Sequence, residues 1–191
     1  CAGFTMIEVL ISILIMTLGL LGLAAMQVRA QQAELESYQR AQALILAQDM
    51  ADRINANRKA AGCYNFTTNT TTGAPYAGSD ATAPVCGPFG TTDTRARADL
   101  DISEWHNTLK GAAEQLGGNE VGAMIGARGC ANLDTSVTPN MYRVSVAWQG
   151  MVKTKDPTSV DSKLTCATGK YGDDAQRRVV SITFPMACLN C

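Results

Sequence analysis

The sequence predicts an α+β chain in which one long N-terminal helix, half membrane-spanning and half amphipathic, packs on a small antiparallel β-sheet. Three observations predict it. Residues 9–28 form an uncharged apolar run, the stretch that follows has helical periodicity without Pro or Gly up to Lys59, and two late segments alternate in strand fashion. All sixteen Lys and Arg and sixteen of the seventeen acids lie from Arg29 onward, which leaves Glu8 as the one earlier charge. That balance excludes a broad basic footprint for nucleic acid. Seven cysteines in a chain of 191 residues point to an oxidising compartment, where disulfides limit the entropy of loop-rich unfolded chains.

Twenty apolar residues in a helix rise about 30 Å, enough to cross a bilayer's hydrocarbon core. A secretory signal peptide has a shorter apolar region ending at a cut site, whereas this run passes directly into a polar helix. Gly19 and Gly22 form a small-residue patch within it, either a packing contact or a loosening of the helix. Across residues 29–59, Leu35, Tyr38, Gln42, Leu46, Met50 and Ile54 recur at spacings of three and four, so this half is read as an amphipathic cover for the sheet.

Ala61-Gly62-Cys63 ends the helix, and residues 62–94 read as a Thr-rich loop with Pro75, Pro84 and Pro88. Cys63 and Cys86 bracket most of it and are expected to pair. Residues 99–116 read as a short second helix, with Ile102, Trp105, Leu109 and Leu116 on one face and Gly117-Gly118 as its stop. His106 follows Trp105 and is expected to face solvent. As the sole histidine it lacks a metal-binding companion.

Residues 120–191 read as sheet. Residues 121–133 are a glycine-broken strand candidate. Residues 141–149 alternate with Tyr142, Val144, Val146 and Trp148 inward, and residues 177–185 with Val180, Ile182 and Phe184 on one face. The polar connection between them is expected to hold a short strand near residues 163–166. Cys188 and Cys191 form a C-x-x-C at the end of the chain, with no following helix to lower a thiol pKa, which favours tail-fastening disulfides over redox chemistry. A zinc site from Cys130, Cys166, Cys188 and Cys191 would hold only one close pair. If Cys130 opens a hairpin and the tail returns beside it, one tail cysteine reaches Cys130 and the other Cys166. No catalytic triad, phosphate loop or paired-carboxylate signature lies on a plausible element, so no enzyme, cofactor or metal is expected.

A carboxylate inside an apolar stretch is costly in a membrane and is read as functional. Gly3-Phe4-Thr5-Met6-Ile7-Glu8-Val9-Leu10 resembles the prepilin peptidase site of type IV pilins and type II secretion pseudopilins, in which the bond after glycine is cut. The resemblance implies that Cys1-Ala2-Gly3 is a leader remnant, that Phe4 becomes the N-methylated first residue, and that Glu8 is an assembly contact. Residues 4–28 would be the membrane and filament-core helix and residues 29–191 the periplasmic or extracellular domain. In an apolar filament core the Glu8 carboxylate needs a cation, and a neighbouring Phe4 amine would supply it.

The order of long helix, cysteine-bearing loop, short helix and two late strands resembles minor pilins of the PilV kind. That resemblance implies a pilin fold and a minor subunit that primes or caps a type IV pilus and supports adhesion and twitching motility. Its partners would be the major pilin, other minor pilins, prepilin peptidase, the inner-membrane assembly platform and a tip adhesin. A type II secretion pseudopilin, or a subunit whose loop binds a surface, glycan or DNA, is the alternative. Arg95, Arg97, Arg177 and Arg178 are the cationic cluster to test for the last of these.

Overall fold

The computed structural model describes residues 3–111, 115–116, 119–120 and 124–186. They divide into two compact units, Cys1–Ser37 and Tyr38–Cys191. Helix α1 (Met6–Ala56) contributes to both. In the first unit it is the whole of the regular structure, and every residue from 3 to 31 is exposed.

In the second unit, α1 is followed by a 3-10 turn (Arg58–Tyr64), β1 (Ala77–Gly78), α2 (Thr92–Lys110), β2 (Gln115–Leu116), β3 (Asn119–Glu120), β4 (Arg128–Asp134), β5 (Met141–Gln149) and β6 (Arg177–Pro185). The main sheet is antiparallel in the order β1-β4-β5-β6, and β2 pairs with β3 apart from it. The two late strands run as the alternation predicts, and Tyr142, Val144, Val146 and Trp148 are buried.

Helix α1 buries Met50 and Ile54 of the expected stripe, but ahead of them the buried face differs from the one expected. Gln39, Ala43, Ala47, Met50, Ala51 and Ile54 face the core, while Tyr38 stays half exposed and Gln42 and Leu46 lie at the border. The small alanines admit Trp105, which is fully buried and whose indole N–H donates to the Leu46 carbonyl at 2.8 Å. Close approach won over side-chain size, because a large ring needs a neighbour that leaves space.

Helix α2 starts seven residues before the expected boundary. Thr91 caps it: its hydroxyl accepts from the Thr94 N–H, and the Thr94 hydroxyl in turn accepts from the Thr91 N–H. This reciprocal pairing uses two threonines in a stretch whose composition reads as loop. The helix ends at Gly111, whose φ of 96° only glycine adopts readily, so Gly117-Gly118 is not its stop. His106 is buried, contrary to expectation, and its Nδ1 accepts the Gly78 N–H at 3.0 Å, tying α2 to edge strand β1.

Asp101, buried at the α1–α2 contact, accepts from the Tyr64 hydroxyl at 2.6 Å and pairs with Arg53 at 3.3 Å and Arg97 at 3.1 Å. Asn57 joins this network through Tyr64 and the Thr94 carbonyl.

Both faces of the sheet are covered. Ala43, Met50, Trp105, Val144 and Val146 share one core, and Cys130, Ala147, Cys166, Ala167, Tyr76 and Tyr171 share a second on the opposite face. The expected strand near 163–166 is absent. These residues lie in turns that cross the sheet and are held by Arg177. Arg177 is fully buried, pairs with Asp156 and Asp174 at 3.2 Å each, and donates to the Leu164 and Cys166 carbonyls. On the same face the Arg128 guanidinium stacks on Tyr76 and Tyr171, 5.5 and 4.8 Å from their ring centres.

Three buried phenols give the fold a pH limit. Burial pushes Tyr142 and Tyr171 up to about 12, and Tyr64 is raised by burial and by its bond to Asp101. A raised acid contributes stability below its unfolded pKa of about 10 and loses it as pH climbs to the folded value. Stability is therefore expected to hold up to about pH 10 and to fall between about 10 and 12. Phenolate absorbance should rise at higher pH in the native protein than in urea, and coincident curves would refute the assignment.

Candidate functional site

The segment ahead of α1 holds the residues singled out for processing. Gly3, Phe4 and Thr5 lie outside the helix, and the Thr5 carbonyl opens it by accepting from the Glu8 and Val9 N–H groups at 3.1 and 3.4 Å. The bond between Gly3 and Phe4 is thus non-helical and exposed on both sides, as a peptidase cleft requires. Glu8 occupies the first turn, where the helix dipole favours a negative charge. Its carboxylate is exposed among exposed apolar side chains and has no side-chain partner among the described residues.

The rest of the apolar stretch is internally satisfied. The Ser12 hydroxyl donates to the Glu8 carbonyl at 2.7 Å and the Thr17 hydroxyl to the Leu14 carbonyl at 2.9 Å, so neither needs water. The helix runs unbroken through Gly19 and Gly22, and a Cβ at either would meet nothing. By length and composition this part of α1 can cross a membrane.

A Cβ at Gly3 would also meet nothing in this chain, so a need for glycine there would come from the enzyme that cuts after it. Gly3→Val is expected to leave the protein folded and inserted but unprocessed in cells expressing prepilin peptidase. Electrophoretic mobility and N-terminal mass would check this, and normal cleavage would overturn it.

Cys63 and Cys86 form a disulfide across the loop. The expected pairing of the later cysteines is corrected: Cys130 bonds Cys166, so neither joins the tail, and a zinc site drawing on both is ruled out. Sequence separation could not show that the turn after Leu164 folds over the sheet face on which Cys130 lies. Cys1, Cys188 and Cys191 lie outside the described residues.

The cationic cluster also changes. Arg177 is buried, and Arg178 donates to the Val152 and Ala175 carbonyls and to Thr154, so both serve the fold. Arg97 is exposed but paired with Asp101. Among the described residues no group of three His, Cys, Asp or Glu is placed to hold a metal ion.

Two family models adjoin along the chain. The prokaryotic N-terminal methylation motif matches residues 1–24, and the type IV pilin Tt1218 (Tt1218-like) family matches residues 25–103. Between them they take in the processing segment, all of α1, the Cys63–Cys86 loop and the first half of α2. No curated protein and no solved structure matches the chain. The methylation motif and the apolar helix fit anchoring in an inner membrane, processing by prepilin peptidase and assembly with other pilins. With a long N-terminal helix that carries this motif and a four-stranded antiparallel sheet behind two disulfides, the chain is a type IV pilin-like protein.

Proposed function

We propose that this protein is a minor subunit of a type IV pilus, one that primes or caps assembly at or near the tip and so supports adhesion and twitching motility. The observation that carries the reading is Glu8, a lone carboxylate in the first turn of α1, whose exposed stretch up to Val28 is otherwise uncharged, four residues after Phe4. In the membrane the exposed helix is solvated by lipid. In a filament it exchanges lipid for neighbouring helices, and Glu8 exchanges a solitary position for the N-methylated amine of an adjacent Phe4. The assembly platform would drive that transfer, and a tip adhesin would be presented beyond it. A disulfide-braced, loop-rich body favours a pilus subunit over a type II secretion pseudopilin.

The test is the composition of sheared filaments. The protein should be recovered there at a small fraction of the major subunit, and its deletion should lower pilus number and twitching. Abundance equal to the shaft subunit would refute a minor role. Intact pili and motility alongside a loss of protein secretion would assign the chain to a type II secretion pseudopilus instead.

A further inference from the structure

A polar groove of about 420 Å³ opens at the end of the sheet where β4 and β5 meet the 161–165 turn. Its size lies within the ~300–1,000 Å³ range of small-ligand sites. Arg143 of β5 reaches into it, with a side chain 17% exposed. Its Nη1 donates to the Ser181 hydroxyl at 3.2 Å, and its remaining N–H groups have no hydrogen-bonding acceptor among the described residues. The nearest carboxylate, Asp161, stands 3.9 Å away and already accepts the Lys163 backbone N–H at 2.9 Å. The carboxylate of the groove wall, Asp134, takes the Lys163 ammonium at 2.8 Å and the Ser136 N–H at 3.0 Å. Asp134 is spent on its own surroundings, and Asp161 reaches Arg143 only at 3.9 Å, opposite the same Nη1 that holds Ser181, which leaves the rest of the guanidinium to the groove it lines.

We infer that this groove binds an acidic sugar, a uronate, with the sugar's carboxylate on Arg143. A guanidinium presents its donors in the geometry of two carboxylate oxygens. The lining sets Arg143 and Lys163 against Asp134 alone, a surplus of one positive charge that suits a singly charged carboxylate, while Asp134 and the nearby Asp161 would repel a phosphate dianion more strongly. The exposed rim carries the hydroxyls of Thr70, Thr135 and Ser162, which can exchange hydrogen bonds with sugar hydroxyls. The floor is rigid: Thr67 is bonded to β4 through the Ala131 N–H and carbonyl. Behind the wall, the Cys130–Cys166 disulfide fastens the turn that carries Lys163 and Thr165.

The experiment is ligand-observed saturation-transfer NMR on the full chain in detergent micelles, with glucuronate, glucose, acetate and inorganic phosphate as probes. Glucuronate should bind at least about tenfold more tightly than glucose, and Arg143→Gln should remove about that factor, as expected for a lost charged hydrogen bond. Thr70→Trp fills the groove from its exposed rim without altering Arg143 and should also abolish binding. Arg97→Gln, outside the groove, should leave it unchanged. Should Arg143→Gln weaken the fold, judged by its denaturation midpoint, Thr70→Trp decides the matter. Glucuronate binding that survives both groove variants would overturn the inference, as would acetate or phosphate binding as tightly as glucuronate.

Discussion

Glu8→Ala is expected to leave membrane insertion and cleavage after Gly3 unchanged and to lower recovery of the protein in sheared filaments several-fold. The apolar run already spans a bilayer without Glu8, and removing a carboxylate from its edge eases insertion. In the proposed filament the loss falls on a neighbour. The Phe4 amine that paired with Glu8 would be left charged in an apolar core, and breaking a buried pair costs about 3–5 kcal/mol. The measurement is the ratio of filament to membrane protein for wild type and variant at equal expression. A subunit that caps the filament has a neighbour on one side only, so the size of the fall reports position as well as contact. An unchanged ratio would show that Glu8 makes no assembly contact here.

The second large effect lies where α2 crosses β4. A Cβ at Gly129 would collide with the Trp105 ring and also crowd Leu109, so strand and helix approach as closely as they do only because position 129 has no side chain. Trp105→Ala removes a fully buried ring and its bond to the Leu46 carbonyl, and should cost about 3–5 kcal/mol of unfolding free energy. Gly129→Val should cost about 1–3 kcal/mol or more by overpacking the same space. The double variant should be less destabilised than the sum by about 1 kcal/mol or more, because the cavity left by one change accommodates the other. Denaturant unfolding of the full chain in detergent would measure all three, and strict additivity would show that the two residues do not compete for one volume.

Neither variant should alter cleavage after Gly3. The proposed cleavage bond between Gly3 and Phe4 lies ahead of α1, whereas Trp105 and Gly129 lie within the unit that begins at Tyr38. A processing defect in Trp105→Ala would mean that recognition by the peptidase extends to the folded unit.

The sequence by itself determined the features whose signal is local. The uncharged run from residue 9 to 28 needs no tertiary partner to be helical and apolar, and the Gly3-to-Glu8 spacing is legible as written. Strands β5 and β6 were readable because large apolar side chains alternate with small or polar ones along them, a pattern that remains although β5 buries both of its faces. Tertiary structure decided what depends on residues distant in the chain. The α1 stripe shifted to Ala43 and Ala47 because Trp105, far along the chain, needed space. His106 became buried because β1 supplied an N–H for its ring. Arg177, exposed by composition, became the anchor of a loop because two aspartates and two carbonyls converge on it, and a buried charge is tolerated only with such partners. Cys130 found Cys166 rather than the tail for the same reason. A disulfide joins side chains that the fold has already brought together, and the fold here lays a turn over the sheet face on which Cys130 sits.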